Sequence, residues 1–433
     1  MIKAQGWVVL LFLGSYQGWA QAKSSGSLQG YYKQFGVSQN EESASAAGGF
    51  NGDLKFDWKS QPTKPQWRFK TEFEFQTDQV SKDSFEKFRF NPRNFYLENK
   101  SSTVVLRAGY QTIIPEGPDF LNPADVIHSK DWKDPTNPIS LASAGISLSQ
   151  EGSVWQWEAF YIPQQTKPRL PGDRSPWWPR GQRIPIESND TEFQVPADTK
   201  YVVGDGEDIN NSLTNNYALR LGGKNAVFEG QLVFYEGLAQ DPNVIINSSG
   251  TLLSLAPKLT LLMNSPVNLK PLYFKHRAVA GTFVLPFETW SVKGGINRTK
   301  PLSDDARLPG EVISGVLGFE KNFETSKGLL TFIFQHEMQR LEAKNQISFL
   351  KSIYQKAWTL GFRIPWGDDL QFLGGIIYDT IGKSSLARLG ASFRCNDSLS
   401  LEIEGQVLQG PEEALLGLYD KYDSVSLGLT YHF

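Results

Sequence analysis

The chain ends in an eleven-residue segment, 423–433, whose last nine residues alternate between apolar and small or polar side chains. The odd positions of segment 425–433 are apolar or aromatic, and the even positions between them are small or polar. Successive side chains of a β-strand point to opposite faces, so this segment has one face for lipid and one for water. We therefore predict that the chain ends in a membrane-spanning strand.

The same period of two recurs throughout the chain and indicates an all-β protein. Aromatic residues alternate with charged or polar ones over residues 67–76, and similar segments begin at Leu54 and Leu399. Marking every such segment predicts about 18 strands of a transmembrane antiparallel up-and-down barrel, which requires an even number, with 16 strands as the alternative. The predicted strands lie near residues 27–37, 50–59, 66–77, 88–98, 102–112, 139–150, 153–162, 213–222, 225–236, 272–285, 287–297, 311–321, 328–340, 352–364, 369–380, 386–395, 399–409 and 423–433.

The connections between these strands alternate in length, as barrels with short periplasmic turns and long extracellular loops require. The longest pieces are 113–138, 163–212 and 237–271. Segment 251–263 is apolar but contains the central Pro257, and an extra strand there would make the count odd, so we assign it to a loop. With both chain ends on the periplasmic side, the last strand should close the barrel against the first strand, near residues 28–35. Phe433 then lies at the periplasmic rim and His432 on the lumen side.

The N-terminus has the features of a secretory signal. Lys3 precedes an apolar stretch at 7–13, and Ala20 and Ala22 supply small residues at a cleavage position. We predict a cleaved signal peptide over 1–22 and a single barrel domain over 23–433, located in the bacterial outer membrane.

Composition excludes some functions and supports the barrel. A formal net charge of -3 argues against binding nucleic acid. Aromatic residues make up 13% of the chain, enough for the aromatic girdles at the two membrane interfaces. We expect no cofactor and no metal ion.

A distinctive stretch lies near the fifth predicted strand. Arg107-Ala108-Gly109-Tyr110-Gln111 is followed by a turn with Glu116-Gly117 and by Asn122-Pro123-Ala124-Asp125. This resembles a broad group of outer-membrane barrels related to alginate-export porins, in which R-x-G-x-Q leads into a W-G turn and an N-P-x-D loop. Glu116 replaces the usual Trp. The resemblance implies that Arg107 and Gln111 point into the lumen and that Asn122 and Asp125 fix a loop inside the barrel wall. Ordinary turn capping by Asn122 and Asp125 is the alternative.

The chain also resembles outer-membrane barrels at its end, where Tyr431 and Phe433 match the aromatic signal for barrel insertion. That resemblance implies a contact with the barrel-assembly machinery.

Charged residues on the predicted lumen parity are the candidates for lining a pore. Their signs are mixed, so neither anion nor cation selectivity is predicted, and cross-strand pairing is the simplest role for most of them. With Gln111, they are Arg68, Lys70, Glu72, Glu74, Arg107, Glu158, Arg220, Glu229, Lys293, Arg363, Arg388, Arg394, Glu402 and Glu404.

The long segment 163–212 is the candidate for a constriction or a cap over the mouth. It is rich in proline and contains Trp177, Trp178, Arg180 and Arg183. Loops of this length in compact structures are usually functional or disordered. The alternative is a flap that packs on neighbouring loops outside the barrel.

These observations predict a porin-like channel for passive diffusion of small hydrophilic solutes, with saccharides among the candidates. The expected partners are outer-membrane lipid and lipopolysaccharide, and the channel would be a monomer or a homotrimer. A closed barrel that binds or adheres through its long loops is the alternative. A lipid-modifying enzyme is a third hypothesis, for which His336 is the only histidine predicted among apolar residues of the outer face.

Overall fold

Eighteen antiparallel strands form the main sheet of the protein. The computed structural model describes residues 20–35, 46–60, 66–78, 88–118, 120–172, 175, 177–181, 183–185, 191–257, 259–341, 355–411, 414 and 416–433. The strands of this sheet are β1 (Ala20–Phe35), β2 (Ala46–Ser60), β3 (Gln66–Asp78), β4 (Phe88–Ser101), β5 (Val104–Gln111), β6 (Ser143–Glu151), β7 (Trp155–Gln164), β8 (Thr214–Lys224), β9 (Glu229–Leu238), β10 (Lys275–Pro286), β11 (Trp290–Pro301), β12 (Val312–Thr325), β13 (Gly328–Leu341), β14 (Lys356–Trp366), β15 (Leu370–Asp379), β16 (Ser384–Asn396), β17 (Leu399–Gln409) and β18 (Ser424–His432).

The sheet closes on itself as a barrel. Each strand pairs with its neighbours in sequence, and β18 pairs with β1 in a register that runs from Ser27 opposite His432 to Phe35 opposite Ser424. Phe433 and Gly26 extend this seam with two backbone hydrogen bonds, of 3.0 and 3.1 Å. Closure leaves no free strand edge, which is the condition for a β-sheet to cross a membrane.

The predicted strand count and the predicted pairing of the first and last strands are confirmed. Three details differ. β1 begins at Ala20, so it includes the last residues of the segment predicted as a signal peptide. β6 begins at Ser143 rather than near 139, because Ile139–Ser140 pairs instead with Lys130–Asp131. Segment 251–263 lies outside the barrel as predicted, but it contains two short strands, Gly250–Ser254 and Leu259–Met263.

The two faces of the barrel wall differ in chemistry along the whole circumference. On β18 the exposed side chains are Val425, Leu427, Leu429 and Tyr431, whereas the alternate residues are more buried. Each of the remaining strands also exposes apolar side chains on this face. Trp155, Trp290 and Trp366 belong to this face at the ends of their strands, where aromatic girdles of membrane barrels lie.

The two ends of the barrel also differ. At one end, which we call the turn end, the connections are short, such as 102–103, 225–228 and 397–398. At the other, the loop end, the connections include 112–142, 165–213 and 239–274. A 3-10 helix, Gly417–Tyr422, lies in the last of the loop-end connections. No helix in the described ranges is long and apolar enough to cross a membrane.

The loop-end connections contain further short strands. One four-stranded sheet consists of Arg183–Pro185, Thr191–Gln194, Leu259–Met263 and Gly250–Ser254. A second consists of Tyr201–Val203, Glu207–Asp208, Asn243–Ile246 and Val267–Tyr273. Both sheets combine strands from loops 165–213 and 239–274, so these two loops form one layer, which we call the mouth layer.

The assignment of the two faces predicts that arginine has different effects on stability at two positions of β16, Leu389 and Ser392. Leu389 is 58% exposed on the apolar face, and Ser392 lies on the other face opposite Glu402. In lipid vesicles, Leu389→Arg should lower the free energy of unfolding by about 2–4 kcal/mol, because a charge near the middle of the lipid-facing wall loses its hydration. Ser392→Arg should change it little. Urea titration of the refolded protein measures both, and equal losses for the two variants would contradict the assignment.

Candidate functional site: the barrel interior

Loop 112–142 folds into the barrel instead of projecting from it. Ile113, Ala124, Val126 and Ile127 pack in one apolar cluster with residues of β7–β10. The wall residues of this cluster, among them Val233, belong to the face opposite the exposed apolar one. An apolar contact with that face requires the loop to lie in the lumen.

The first half of the loop reaches the far wall. The Thr282 hydroxyl on β10 donates to the Glu116 carbonyl at 2.8 Å, and the Asn297 amide on β11 donates to the Pro123 carbonyl at 2.9 Å. A Cβ at Gly361 of β14 would lie only 2.8 Å from Cζ of Phe120, so glycine at this position makes room for the ring. β14 is nine strands from β5 in a ring of eighteen, so the loop crosses the full diameter of the barrel to place Phe120 there.

The second half of the loop is tied to other parts of the wall by charged and polar contacts. Asp131 pairs with Arg89 of β4 at 2.5 Å, and Asp134 pairs with Lys33 of β1 at 3.1 Å. The Arg388 guanidinium of β16 donates to the Thr136 hydroxyl at 2.6 Å. The loop therefore contacts strands on opposite sides of the barrel and narrows the lumen.

Asn122 caps a turn of the inserted loop, and Asp125 makes an ion pair within it. The Asn122 side chain accepts a hydrogen bond from the Ala124 N–H at 3.0 Å and donates to the Pro115 carbonyl at 2.6 Å, which is turn capping. Asp125 pairs with Lys130. Since the capped turn lies within the lumen, capping fixes the inserted loop.

His128 is a buried histidine that holds the base of the loop. The Ile113 N–H donates to its Nε2 at 2.7 Å, which requires Nε2 to be unprotonated. Burial lowers the pKa of His128 from 6.5 to about 4. Protonation of this ring would remove the acceptor and place a charge in an apolar region.

All fifteen candidates for lining the pore belong to the inward face by strand register. On one side of the barrel they form a paired network that the sequence could not resolve. Glu158 accepts from Arg220 at 2.6 Å and from Arg107 at 3.3 Å, and Arg107 also pairs with Glu98 at 2.7 Å. Glu158 is only 5% exposed, so this network stabilises the wall.

Most of the other inward charges are also paired. Arg68 pairs with Asp57 at 2.5 Å, Lys293 with Glu320 at 2.7 Å, and Glu229 with Lys224 at 2.7 Å. The remaining contacts are Lys70 with Glu72, Glu74 with Arg93, Arg394 with Asp397, Glu402 with Gln29, Arg388 with Gln406, and Gln111 with Ser147.

Arg363 and Glu404 differ from these residues. Within the described ranges neither has an ion-pair or side-chain hydrogen-bond partner, and both are exposed inside the barrel. They belong to one cross-strand row, in which Arg363 is opposite Leu373, Leu373 opposite Gly390, and Gly390 opposite Glu404. Water therefore reaches the inner wall along β14–β17, whereas loop 112–142 covers the wall formed by β7–β10.

The mouth layer lies over the loop end and has its own apolar core. Trp178 is 3% exposed and stacks on Tyr201 at 5.5 Å. Arg180 is buried beside them and donates to the Thr199 carbonyl at 3.1 Å. In this structure the Arg180 guanidinium binds the loop's own backbone, at the carbonyls of Thr199 and Ser175. The backbone of Arg183 begins a short strand, and its side chain lies outside the described part of the chain.

Trp177 connects the mouth layer to the far wall. It packs with Leu386 of β16, Leu408 of β17 and the aromatic residues Tyr419 and Tyr422 of the last loop. Because loop 165–213 leaves the wall between β7 and β8, this contact also crosses the whole diameter. The loop that the sequence analysis gave as a constriction or a cap thus covers the mouth, and loop 112–142 lies deeper.

The histidines do not form a recognisable catalytic group. His336 lies on the outer face of β13 as predicted and stacks on Trp358, with ring centroids 3.8 Å apart. His432 lies on the inner face, and its Nε2 is 3.2 Å from the Ser400 hydroxyl. In the described ranges no carboxylate contacts either ring.

Solved structures with the same architecture allow a comparison. OccAB3 of Acinetobacter baumannii superposes with a TM-score of 0.54 at 9% identity, over 95% of this chain and 99% of that one. OccAB2 of the same organism gives 0.53 at 10% identity, over 95% and 98%. OccK9 (OpdG) of Pseudomonas aeruginosa gives 0.52 at 11% identity, over 95% and 98%. These neighbours are outer-membrane β-barrel porins.

The chain has the fold of an outer-membrane porin. No family model matches it, and the search of curated proteins gave no match. The resemblance to alginate-export porins in the segment from Arg107 to Asp125 stays a prediction. Identities near 10% establish only the fold.

The environment of His128 predicts a pH-dependent stability. The unfolded chain binds a proton at His128 near pH 6.5 and the folded chain only near pH 4. Neutral His128 therefore makes its full contribution to the free energy of unfolding above pH 6.5. That contribution is lost as the pH falls to 4, by up to about 3 kcal/mol. The His128→Gln side chain keeps a hydrogen-bond acceptor but does not titrate. The difference in unfolding free energy between wild type and this variant should therefore change between pH 6.5 and pH 4. Parallel profiles of stability against pH for wild type and His128→Gln would contradict the assignment.

Proposed function

We propose that the protein is a passive channel of the bacterial outer membrane for small hydrophilic solutes, with saccharides among the candidates. The observation that carries this proposal is the inner wall along β14–β17, which is charged and accessible to water beside a loop that narrows the lumen. Arg363 and Glu404 expose their charges there without partners in the described ranges. A closed structural barrel would not need unpaired charges in its interior.

The proposed path is selective by size first and by charge second. Loop 112–142 leaves a passage beside the wall that carries Arg363 and Glu404, so a solute would pass both signs of charge. Leu373 is 53% exposed between them. Mixed charges with one apolar side chain suit polar solutes of moderate size better than free ions of one sign.

Further parts of the proposal concern the surroundings of the barrel. The loop end faces the outside, where lipopolysaccharide is the neighbouring lipid, and Tyr431 and Phe433 provide the contact with the barrel-assembly machinery. The functional unit is a monomer or a homotrimer, which mass measurement in detergent distinguishes. We propose no catalytic role, and unchanged properties of His336→Ala would support that.

A binding platform is the second candidate function. The hairpin of Gly250–Ser254 and Leu259–Met263 exposes Leu252, Leu253 and Leu255 at its tip, with 50%, 50% and 75% of their surface accessible. Adjacent exposed leucines on a soluble loop are typical of contacts with a partner. Deleting residues 163–212 removes the strand Thr191–Gln194 that pairs with this hairpin. A platform would then lose binding, and it would show no current before or after the deletion.

Planar bilayers provide the first test of the channel. The purified protein should give discrete conductance steps, since water reaches the inner wall. A variant in which a short glycine-serine linker replaces residues 116–136 should give larger steps, because these residues span the lumen. A glycine-serine replacement of residues 225–228, a turn-end connection, should leave the step size unchanged. A protein that inserts but never conducts would refute the proposal.

Ion preference provides the second test. Glu404→Gln should move the reversal potential in a salt gradient towards that of an anion-preferring channel, and Arg363→Gln should move it the other way. Each change removes one unpaired charge from the proposed path. Glu229→Gln alters an inward carboxylate that is already paired with Lys224, and it should shift the potential less. Equal shifts for Glu404→Gln and Glu229→Gln would place the path elsewhere.

A further inference from the structure

The outward face of the barrel carries nearly all of its basic residues in one place. By strand register, the outward lysines and arginines of the described strands are Lys275, Arg277, Arg298, Lys300, Lys321, Arg340 and Lys356. Lys321 is near the turn end of β12. The other six lie at the loop end of β10, β11, β13 and β14, which are four of the five consecutive strands β10–β14, and we call them the basic rim.

The basic rim is only partly neutralised. Glu236 pairs with Arg277 and Glu311 with Arg298, both at 2.7 Å. In the described ranges these two carboxylates face six bases. Register also places Arg277 directly opposite Lys300, and like charges in opposite positions of neighbouring strands repel each other. An anion at this position would relieve the repulsion.

Immediately below the basic rim the same face is apolar. Val279, Ile296, Met338 and Trp358 are each more than 40% exposed, one step or more towards the middle of their strands. Bases above an exposed apolar surface match a molecule with an anionic head and hydrocarbon chains. The apolar part of the site is therefore present as well as the charged part.

A second copy of the chain fits this surface poorly. Glu236 is the only Asp or Glu that register places on the outward face of the described barrel strands. The wall of another barrel thus offers the basic rim almost no negative charge. The phosphates of an anionic lipid provide that charge.

We propose that the basic rim binds the phosphate groups of a phosphorylated glycolipid of the outer leaflet, such as the lipid A part of lipopolysaccharide, whose acyl chains cover the apolar surface below. The inference rests on the proposed function in one respect, because the loop end must face the outer leaflet. The rest of the wall contacts lipid through uncharged side chains. The proposal adds a charged lipid contact in one sector, β10–β14.

The test uses full-length protein in neutral detergent with bisphosphorylated lipid A or its dephosphorylated form, and counts bound lipid by native mass spectrometry. Wild type should bind the bisphosphorylated form at least about tenfold more tightly, and added salt should reduce the difference. The variant Lys300→Gln, Arg340→Gln, Lys356→Gln should lose this preference. Its control, Lys100→Gln, Lys224→Gln, Lys327→Gln, removes the same charge from the turn end and should keep it.

Each result decides the proposal. Equal binding of the two lipids by wild type, or an unchanged preference in the rim variant, would overturn it. Loss of an oligomer in the rim variant without loss of lipid would assign the rim to contacts between copies and would overturn it too. Conductance steps measured on the same samples report the channel separately, so a failure of the lipid site leaves the proposed function testable by itself.

Discussion

Every part of this molecule depends on the closure of its backbone hydrogen bonds into a ring. Hydrocarbon offers no hydrogen-bond partner, so a strand that crosses it must pair on both sides. The seam between β1 and β18 completes the ring, and residues 26 and 433 extend it to the rim. Once the ring is closed, one set of alternate side chains must face lipid and the other must face the lumen. The chemistry of both faces follows from that separation.

The barrel could be predicted from sequence because lipid and water impose a period of two on each strand. Leu389 and Arg388 are neighbours in sequence, yet one faces lipid and the other faces water, and the same contrast recurs on most strands outside the inner wall of β7–β10. The loops carry no such period. Trp178 and Arg180 contribute to a core that loops 165–213 and 239–274 build together, and a pairing between distant loops leaves no local signal. The depth of each loop was equally hidden, since Phe120 reaches the far wall only because Gly361 is there.

The lumen divides into two unlike halves. On one side the inserted loop packs on an apolar and ion-paired wall, and the buried Glu158 network holds that wall rigid through charge-assisted hydrogen bonds. On the other side Arg363 and Glu404 stay hydrated. Sequence parity predicted that both kinds of residue point inward, but it could not separate the charges that stabilise the wall from those that a solute would meet. That separation requires the position of the loop.

The contacts of Trp177 have a consequence for the order of assembly. Loop 112–142 lies beneath the mouth layer, and Trp177 fastens that layer to β16 and β17 on the far side. A layer fastened at both sides would block later entry of the loop beneath it. We therefore expect the inserted loop to settle against β9–β11 before Trp177 docks. In that order the contacts deep in the lumen form first, and the contacts at the mouth form last.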